Sequence, residues 1–439
     1  MEGVLNSPMF MQLLPIILFL IFLLARVPIA FALLLPPLIC LIVAGDFFSL
    51  QILVQRLYSG VDDFILLAIP FFILAGDLMD RGKLTTRLVK FSGVLVGRLR
   101  GGLGISNVVT SMFFGGITGS AVADTSAIGS VLIPAMQQDG YDDNFSCAVT
   151  ASSSVIGPII PPSCQMVVYA VTVGVSTGGL FAAGMIPGIL VGFALIFVTY
   201  IISVKRRYPK REEPVTSQEF WTELWRAISV LLMPIIILGG LFSGFFTATE
   251  AAVVAAGYGM VLTVIIMRNI KIREIPGVLV HSMVTSGFVL LLIASARVFL
   301  YYLTIYDVPQ IIGNFIVSVS GGRPLVFLLI VNIVLIVLGM MVESGALIII
   351  LGPILAPVAE TLGIDSLHFG IIFCMNTAIG LATPPVGSCL FVSSALTGVS
   401  LDRISRAVIP FIIVEILVLL IVTYLPGVAM FMPGVLGYR

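Results

Sequence analysis

Charged residues and histidine are scarce in this sequence. Asp, Glu, Lys and Arg together make up 10% of its 439 residues, and it contains two histidines, His281 and His368. The sequence therefore offers few histidines from which a metal or catalytic site could be built. The 22 acidic and 22 basic residues cancel, and the basic ones lie in short loops. Nucleic acid is therefore not an expected partner.

Metal-type cysteine spacing and nucleotide motifs are also missing. The five cysteines show no C-x-x-C pair and lie mostly among apolar neighbours, so neither a disulfide framework nor a metal cage is indicated. No Walker motif occurs, which argues against transport driven directly by ATP hydrolysis.

The first hydrophobic stretch has no basic leader and no convincing cleavage site, so we interpret it as a retained helix rather than a signal peptide.

Long apolar segments make up most of the chain. Hydrophobic residues account for 59% of it, and the mean hydropathy is +1.18. Runs long enough to span a bilayer recur, among them 186–204, 278–302 and 409–425. With about 20 residues for a full span, roughly ten to fourteen membrane elements are expected. The sequence therefore predicts an all-α, multi-pass protein of a lipid bilayer.

Two proline-rich segments indicate an internal repeat. The motif GPIIPPS begins at Gly157, and the motif GLATPPVG begins at Gly380, 223 positions later. The same offset, without a gap, gives these further pairs: Pro134 with Pro357, Asp142 with Asp365, Pro161 with Pro384, and Pro187 with Pro410. So many matches at one offset predict two copies of one structural unit.

The loops that carry Lys and Arg indicate how the two copies are oriented. These residues prefer short cytoplasmic loops. The basic loops of the first copy are 81–100 and 205–211, whereas those of the second copy are 268–273 and 403–406, which are not equivalent positions. Equivalent loops therefore prefer opposite sides of the membrane. This predicts an inverted repeat, the arrangement of many secondary transporters.

The prolines of each copy should break a helix inside the membrane. A freed backbone group in lipid is costly unless it faces protein, water or a ligand, so two equivalent breaks predict a shared polar site. Neutral oxygens beside the breaks suit sodium, a hard cation. These oxygens belong to Ser152, Ser153 and Ser154 at the first break, and to Asn376, Thr377 and Thr383 at the second. The alternative is a pair of re-entrant or external loops punctuated by proline.

Two segments rich in small residues precede the breaks. Residues 115–136 are GGITGSAVADTSAIGSVLIPAM, and residues 339–358 are GMMVESGALIIILGPILAPV. Both predict helical hairpins that enter and leave the membrane on one side. Their turns, at Gly119–Ser120 and Ser344–Gly345, would meet the broken helices near the midplane and form two pseudo-symmetric cation sites. Close packing of helices through small residues is the alternative explanation for the glycines of the first segment.

Four segments together resemble a known family. GGITGSAVADTSAIGSVLIPAM, GPIIPPS, FTATEAA and GLATPPVGSCLFV look like signature segments of the large membrane (M) subunit of tripartite ATP-independent periplasmic (TRAP) transporters. The resemblance runs along nearly the full chain. It implies a sodium-driven importer of organic acids, such as sialic acids or dicarboxylates, in a bacterial inner membrane. It also implies an elevator mechanism, a separate small four-helix membrane subunit (Q type) and a soluble periplasmic substrate-binding protein.

The expected fold is an inverted-repeat, elevator-type transporter with two re-entrant hairpins and two broken helices. We expect N-terminal scaffold helices in 1–56; a first repeat in 57–204, with a hairpin at about 111–136 and a broken helix at about 145–170; a cytoplasmic linker with an amphipathic helix in 205–227; scaffold helices in 228–279; a second repeat in 280–427, with a hairpin at about 335–359 and a broken helix at about 369–394; and a C-terminal tail in 428–439.

The resemblance also assigns site residues. One sodium site is expected at Ser120 and the segment 152–158, with Ser152, Ser153, Ser154 and Gly157 as its residues. The other is expected at Ser344, Gly345, Asn376, Thr377 and Gly380. We expect the substrate to contact Arg297, Ser120, Ser344 and Thr383.

Arg297 lies within the apolar run LLLIASARVFLYYL. An intramembrane arginine is a functional candidate by default, and its planar fork can bind a carboxylate through two hydrogen bonds. We therefore expect it to bind the acid group of the substrate. The alternatives are a structural pairing with an acid such as Glu343, or an extension of the side chain towards the end of the span near Asp307.

The remaining acidic residues of the apolar segments receive mostly structural interpretations. Glu250 is expected to hold scaffold helices or to cap a helix that starts after Thr247 or Thr249. Asp124 and Glu343 follow the hairpin tips, where they could cap a helix, pair with a base or touch an ion. Packing or interface roles are expected for two further acids, Asp77 and Glu415.

Other classes of function would each require different features of the sequence. A hydrolase with Ser388 as its nucleophile would need a partner histidine, and neither histidine lies in a recognisable motif. We therefore do not expect an enzyme. A passive channel would need no carrier-type hairpins, and its flux would not depend on a sodium gradient. A sodium-coupled carboxylate carrier that works without a binding protein is the nearest alternative to a tripartite importer.

Overall fold

The computed structural model describes residues 8–45, 47–210 and 214–438. Residues 1–7, 46, 211–213 and 439, which belong to the expected N-terminal segment, linker and tail, lie outside the described residues. The described residues form these α-helices: α1 Pro8–Leu24, α2 Ile29–Ala44, α3 Phe47–Ser59, α4 Ala68–Arg81, α5 Thr85–Val96, α6 Gly102–Thr118, α7 Ala121–Gln138, α8 Asp143–Ser153, α9 Cys164–Val173, α10 Thr177–Arg206, α11 Ser217–Phe242, α12 Ala248–Met260, α13 Ile275–Ile305, α14 Val308–Ser320, α15 Pro324–Gly339, α16 Ser344–Thr361, α17 Ser366–Gly380, α18 Ser388–Thr397, α19 Leu401–Tyr424 and α20 Pro426–Val435.

Several helices have the length and composition of membrane spans. Six in the described part of the chain are long and apolar enough to cross a bilayer, for example Thr177–Arg206 and Leu401–Tyr424. Helices α14 and α15 are bent by 116° at a short break. The π-helical segment Val261–Ile266 extends α12, and three short 3₁₀ segments lie at Phe64–Leu67, Ser154–Ile156 and Ile272–Glu274. The predicted all-α, multi-pass architecture is confirmed.

The helix boundaries follow the repeat offset of 223 positions. A shift of α7 by this number gives 344–361, the bounds of α16, and a shift of the start of α8 gives 366, the start of α17. The N-caps of α8 and α17 are also equivalent. Asp142 accepts a hydrogen bond from the backbone N–H of Asn144, and Asp365 accepts one from that of Leu367. The same cap chemistry therefore starts the same helix in each copy.

Both predicted broken helices are present. Helix α8 ends at Ser153, passes through one 3₁₀ turn, and resumes as α9 after the proline-rich segment, where Ser163 forms the N-cap. Helix α17 ends at Gly380, and α18 starts at Ser388. The peptide bonds that join the two prolines of each break are cis. Because proline supplies no backbone donor, neither helix continues through its break.

Both predicted hairpins are present, although each is longer than expected. The first consists of α6 and α7 and the second of α15 and α16. Gly119 ends α6 with φ of +60°, a conformation that glycine adopts without strain, and Ser120 caps α7. In the second hairpin Glu343 is the N-cap, equivalent to Ser120. Ser344 and Gly345, expected to form the turn, are instead the first two residues of α16.

The two copies interlock, because helices of each copy pack on hairpin arms of the other. The resumed helix α9 of the first copy packs on hairpin arm α16 of the second, and α18 of the second packs on hairpin arm α7 of the first. Outside this core, α12 packs on α4, and α13 packs on α2. Both hairpins and both broken helices therefore meet in one cluster.

Two segment boundaries differ from expectation. The expected amphipathic helix of the linker is the start of α11, which continues to Phe242 because no breaking residue stops it before the apolar span. Its N-cap is Thr216, and Trp221 and Trp225 are both exposed. The expected C-terminal tail forms helix α20 instead. Pro426 occupies its first turn, a favourable position for proline, and Met430 is buried.

Candidate functional site

Each hairpin touches the neighbouring broken helix backbone to backbone through glycine. In the first repeat, a Cβ atom added to Gly115 would lie 2.7 Å from Cα of Gly157. In the second, a Cβ atom added to Gly380 would lie 2.7 Å from Cα of Gly339. Neither contact leaves space for a larger side chain. The glycines therefore bring each hairpin to the end of the helix that the prolines interrupt.

Each hairpin tip also contacts the chain just after the break, where the interrupted helix resumes. A Cβ atom added to Gly119 would lie 2.9 Å from the backbone nitrogen of Cys164, where α9 begins. In the second repeat, the backbone N–H of Gly387 donates to the carbonyl of Met340 at 3.3 Å. Cys164 and Gly387 are 223 positions apart. The two hairpin tips therefore dock on equivalent positions of the two breaks.

Buried hydroxyls and one amide connect the first hairpin to α8. The Ser111 hydroxyl donates to Ser153 Oγ at 2.9 Å, and Ser153 donates to Asn107 Oδ1 at 2.9 Å. The amide nitrogen of Asn107 donates to Thr150 Oγ1 at 2.6 Å. Ser152 is buried beside this network, and its hydroxyl has no partner among the described residues. Since an unpaired buried hydroxyl is costly, Ser152 Oγ is available to a ligand.

Asp124 lies in the first turn of α7, against the first break. Its carboxylate is fully buried, and Oδ1 accepts a hydrogen bond from the Thr118 hydroxyl. Oδ2 has no partner among the described residues, and a Cβ atom added to Gly157 would lie 2.5 Å from it. A buried carboxylate that lacks a cation partner is strongly disfavoured. The site therefore presents a buried carboxyl group with one unpaired oxygen directly at the break.

The other predicted residues of the first site lie around the same break. Ser120 is half-buried, and its backbone N–H donates to the Thr118 hydroxyl at 3.4 Å. The Ser154 hydroxyl donates to the carbonyl of Thr150 at 2.8 Å, and the backbone N–H of Gly157 donates to the carbonyl of Ser154 at 3.1 Å. The structure thus brings the predicted residues of this site into one region.

A corresponding network lies at the second break. Ser344 donates to the carbonyl of Thr377 at 3.0 Å, which joins the start of α16 to α17. The Asn376 amide donates to Asn332 Oδ1 at 2.8 Å, and the Asn332 amide donates to Thr423 Oγ1 at 3.0 Å. The carbonyl oxygen of the Asn376 side chain is buried and has no partner among the described residues. It is the available neutral oxygen of this break.

Three further residues of the second site have distinct surroundings. Thr383 is buried and donates to the carbonyl of Ile379 at 2.7 Å, so its lone pairs remain for an incoming group. Gly345 is half-buried, and a Cβ atom added to it would lie 3.1 Å from Glu343 Oε2. Glu343 is exposed and caps α16 through the backbone N–H of Ala346. Glu343 is therefore a helix cap at the tip of the hairpin.

Arg297 lies on α13 and is partly buried. Its Nη2 atom donates to the carbonyl of Val171 at 3.3 Å, within the last turn of α9, where carbonyls lack helical partners. No ion pair joins it to Glu343 among the described residues, so that structural pairing is not observed. The guanidinium retains further donors beyond this bond. It therefore links a helix outside the broken-helix cluster to one inside it.

Both breaks offer ligands of the type that a hard cation prefers. The available groups are the hydroxyl of Ser152, the carboxylate oxygen of Asp124, the amide oxygen of Asn376, and backbone carbonyls near the interrupted helix ends. All are oxygens, the ligand type that hard cations prefer. Among the described residues no group of three or more His, Cys, Asp or Glu side chains could hold a metal ion, and the five cysteines are free.

Several polar residues of the site were not identified from the sequence. Asn332 lies in the apolar run 324–338, where an isolated polar residue is itself a signal of a buried partner, whereas Asn107 and Ser111 lie among other small and polar residues of α6. The unpaired state of Asp124 Oδ2 could not be predicted, because its pairing depends on which group faces it across the hairpin. Glu415 on α19 is fully buried, and neither of its carboxylate oxygens has a partner among the described residues.

Residues 16–428 match the family described as the DctM component of the tripartite ATP-independent periplasmic transporters. The chain belongs to this family. It is a large permease component and, like its relatives, a multi-pass protein of the bacterial inner membrane. The resemblance inferred from the four sequence segments is confirmed.

The names of relatives of this permease refer to different substrates. It is 41% identical to the C4-dicarboxylate TRAP transporter large permease protein DctM of Pseudomonas aeruginosa, over 89% of this chain and 91% of the relative. It is 36% identical to the sialic acid TRAP transporter large permease protein SiaM of Vibrio cholerae, over 94% of this chain and 96% of the relative. It is 38% identical to the isethionate TRAP transporter permease protein DctMQ of Oleidesulfovibrio alaskensis, over 95% of this chain and 65% of that longer relative.

Two solved structures share the fold of the permease at low sequence identity. The YdaH transporter of Alcanivorax borkumensis superposes with a TM-score of 0.63 at 14% identity, covering 87% of this chain and 90% of that one. MtrF of Neisseria gonorrhoeae superposes with a TM-score of 0.61 at 12% identity, covering 86% and 84%. At such identity the likeness concerns the fold alone.

Proposed function

We propose that this permease is the membrane transport subunit of a sodium-coupled secondary importer of an organic acid, supplied with substrate by a periplasmic binding protein. The observation that supports this most directly is the pair of equivalent hairpin-to-break contacts, each with an unpartnered buried oxygen. Oxygen clusters at interrupted helices are the usual cation sites of secondary transporters.

Sodium is the proposed coupling ion. At the first break, Asp124 Oδ2 and Ser152 Oγ would bind it, together with carbonyls of the segment 154–157. At the second break, the side-chain oxygen of Asn376 and carbonyls near Gly380 would bind it. Bound Na⁺ would compensate the buried charge of Asp124, which no basic side chain pairs among the described residues.

An organic acid is the proposed substrate. The relatives named above are described as permeases for C4-dicarboxylates, sialic acid and isethionate, all of which are anions. Ser120, Ser344 and Thr383 lie at or near the hairpin tips and breaks, where they could donate hydrogen bonds to such an anion. The free donors of Arg297 could bind its acid group.

The proposed partners follow from the family, which is tripartite by description. One partner would be a small four-helix membrane subunit of the Q type, and the other a soluble periplasmic binding protein. The longer relative named DctMQ fits a large subunit that works with a Q partner.

An elevator movement is the proposed mechanism. The two hairpins and two broken helices pack into one cluster, whereas α2, α4, α12 and α13 pack outside it. The cluster could carry bound ions and substrate as one unit against these outer helices. The inverted orientation of the two copies, deduced from Lys and Arg, would give outward and inward states of similar packing.

The test is uptake into proteoliposomes that contain the permease, its small membrane partner and a candidate binding protein. Uptake is measured with an inward sodium gradient, with equal sodium on both sides, and without the binding protein. Uptake that needs both the gradient and the binding protein is the expected result. Uptake with sodium alone would favour a carrier that needs no binding protein, and uptake without any gradient would contradict the sodium coupling.

A further inference from the structure

A cavity of about 700 Å³ opens at the end of the first hairpin that is remote from its tip. Its walls are one face of α5, the base of the hairpin, the segment that follows α10, and the first two turns of α11. The α5 face carries Lys90, Gly93 and Gly97, which are spaced to lie on one side of the helix. A Cβ atom added to Gly93 would meet nothing within 4 Å, so this face is open.

The cavity lies among residue types that favour the cytoplasmic membrane surface. Its walls include Lys90 and Lys210, which belong to the basic segments 81–100 and 205–210, and the preference of Lys and Arg for the cytoplasmic side assigns the cavity to the cytoplasmic leaflet. Trp221 and Trp225 on α11 flank the level of its acidic residues and are 56% and 70% exposed. Tryptophan is enriched where a membrane meets water. The cavity therefore faces headgroups rather than acyl chains.

The lining carries charges of both signs: the bases are Lys90 and Lys210, and the acids are Asp139, Glu219 and Glu223. Lys90 and Lys210 form no ion pair with another described residue. Glu223 pairs with Arg226 through Oε1 at 2.6 Å, while its Oε2 is buried and has no partner in the described part of the chain. An anion and a cation can therefore be accommodated in the same cavity.

A buried tyrosine adds a neutral donor. Tyr141 is 4% exposed, lines the cavity, and donates no hydrogen bond to a described residue. Burial raises the pKa of Tyr141 to about 12, so its hydroxyl keeps its proton at physiological pH. It can donate that proton in a hydrogen bond to a phosphate oxygen.

We propose that this cavity binds the headgroup of an amine-bearing phospholipid of the phosphatidylethanolamine class. The phosphate would accept from Lys90, Lys210 and Tyr141, and the primary ammonium would donate to Glu223 Oε2. A quaternary choline headgroup has no N–H to donate, and a glycerol headgroup has no cation. The lipid would tie α5 and α11 to the base of the first hairpin.

A substrate anion on its way out is the less suitable occupant. The cavity lies at the C-terminal end of α7, which spans 18 residues from the hairpin tip. At 1.5 Å per residue, this places the cavity about 27 Å from the tip. The cavity is therefore remote from both breaks.

The experiment measures lipid retention by native mass spectrometry of the purified permease with phosphatidylethanolamine, phosphatidylcholine or phosphatidylglycerol of identical acyl chains. The expected result is preferential retention of phosphatidylethanolamine. Glu223→Gln, which keeps the side-chain shape, should lower this preference about tenfold, the effect of losing one charge-assisted hydrogen bond. The double variant Lys90→Ala/Lys210→Ala should weaken binding of all three lipids. Matched controls are Lys205→Ala and Asp402→Asn, which change exposed residues outside the cavity and should leave retention unchanged.

Three outcomes would overturn the proposal. Equal retention of the three lipids would show that the ammonium is not recognised. Unchanged retention in the Glu223→Gln and lysine variants would place any bound lipid elsewhere. Binding of soluble phosphoethanolamine or inorganic phosphate to delipidated permease with the affinity of the lipid would identify a site for a soluble anion. None of these measurements depends on sodium or on uptake, so the result is independent of the proposed transport function.

Discussion

Gly157 and Asp124 are in contact at the first break, where the absence of a side chain on one accommodates the carboxylate of the other. A Cβ atom on Gly157 would lie 2.5 Å from Asp124 Oδ2. The prolines release the backbone of α8 at this point, and the hairpin delivers an unpaired carboxylate to it. A single glycine therefore decides whether a carboxyl group can approach the interrupted helix end.

The first prediction concerns the charge of Asp124. Asp124→Asn keeps the shape of the side chain and removes its negative charge. If the carboxylate binds sodium, the concentration of sodium needed for half-maximal uptake should rise about tenfold or more, the equivalent of ~1.4 kcal/mol. Folding should not suffer, because an unpaired buried charge is unfavourable for the folded state. Sodium titration of uptake and a thermal unfolding measurement check both parts.

Asp402→Asn is the matched control for this substitution. Asp402 lies on the surface in an exposed pair with Arg406, and such pairs contribute little. The control should transport like the parent protein. An Asp124→Asn variant with an unchanged sodium dependence would exclude the carboxylate from the ion site.

The second prediction concerns the glycine contacts. Gly380→Ala would place a Cβ atom 2.6 Å from the carbonyl carbon of Gly339, a backbone atom that cannot rotate away. Overpacking of this kind costs about 1–3 kcal/mol, so thermal stability and uptake should both fall. Gly257→Ala on α12 is the control. Its Cβ atom would meet nothing within 4 Å, and alanine in a helix is favoured over glycine by roughly 1 kcal/mol. A stable, active Gly380→Ala variant would contradict the close backbone approach.

The third prediction concerns the capping box at the start of α12. The Thr247 backbone N–H donates to Glu250 Oε2 at 2.8 Å, and the Glu250 backbone N–H donates to Thr247 Oγ1 at 3.3 Å. Thr247→Ala should lower stability by about 1 kcal/mol and leave uptake per folded molecule unchanged. Thr222→Ala, inside the exposed part of α11, removes no cap and should be neutral. Uptake lost without loss of stability would instead indicate a transport role for this box.

The sequence predicted the repeat unit well because its local signals are strong. Proline marks both breaks, glycine and serine mark the first hairpin tip, and Asp142 and Asp365 mark the starts of equivalent helices. Segment ends were predicted less well. The composition of the linker changes at Ala227, but the helix that begins at Ser217 does not, since helix continuity depends on backbone bonds and not on the polarity of the exposed face.

The site was predicted only as a set of nearby segments. The residues expected at each break do lie around that break, but pairing across elements is a property of the folded chain. Ser153 is engaged by Ser111 and Asn107, whereas its neighbour Ser152 is unpartnered. Adjacent serines in one sequence run thus differ in what they can bind because they point in different directions from α8.

The last prediction separates two roles of Arg297. Its bond to the carbonyl of Val171 satisfies a free carbonyl at the end of α9, a role that a lysine ammonium can also fill. Bidentate binding of a substrate carboxylate, through two parallel hydrogen bonds, requires the planar guanidinium. Arg297→Ala should therefore abolish uptake while the protein still folds. Arg297→Lys should retain thermal stability but raise the substrate concentration for half-maximal uptake about tenfold. If lysine restores both stability and uptake, Arg297 serves the contact with α9 and does not bind the acid group of the substrate.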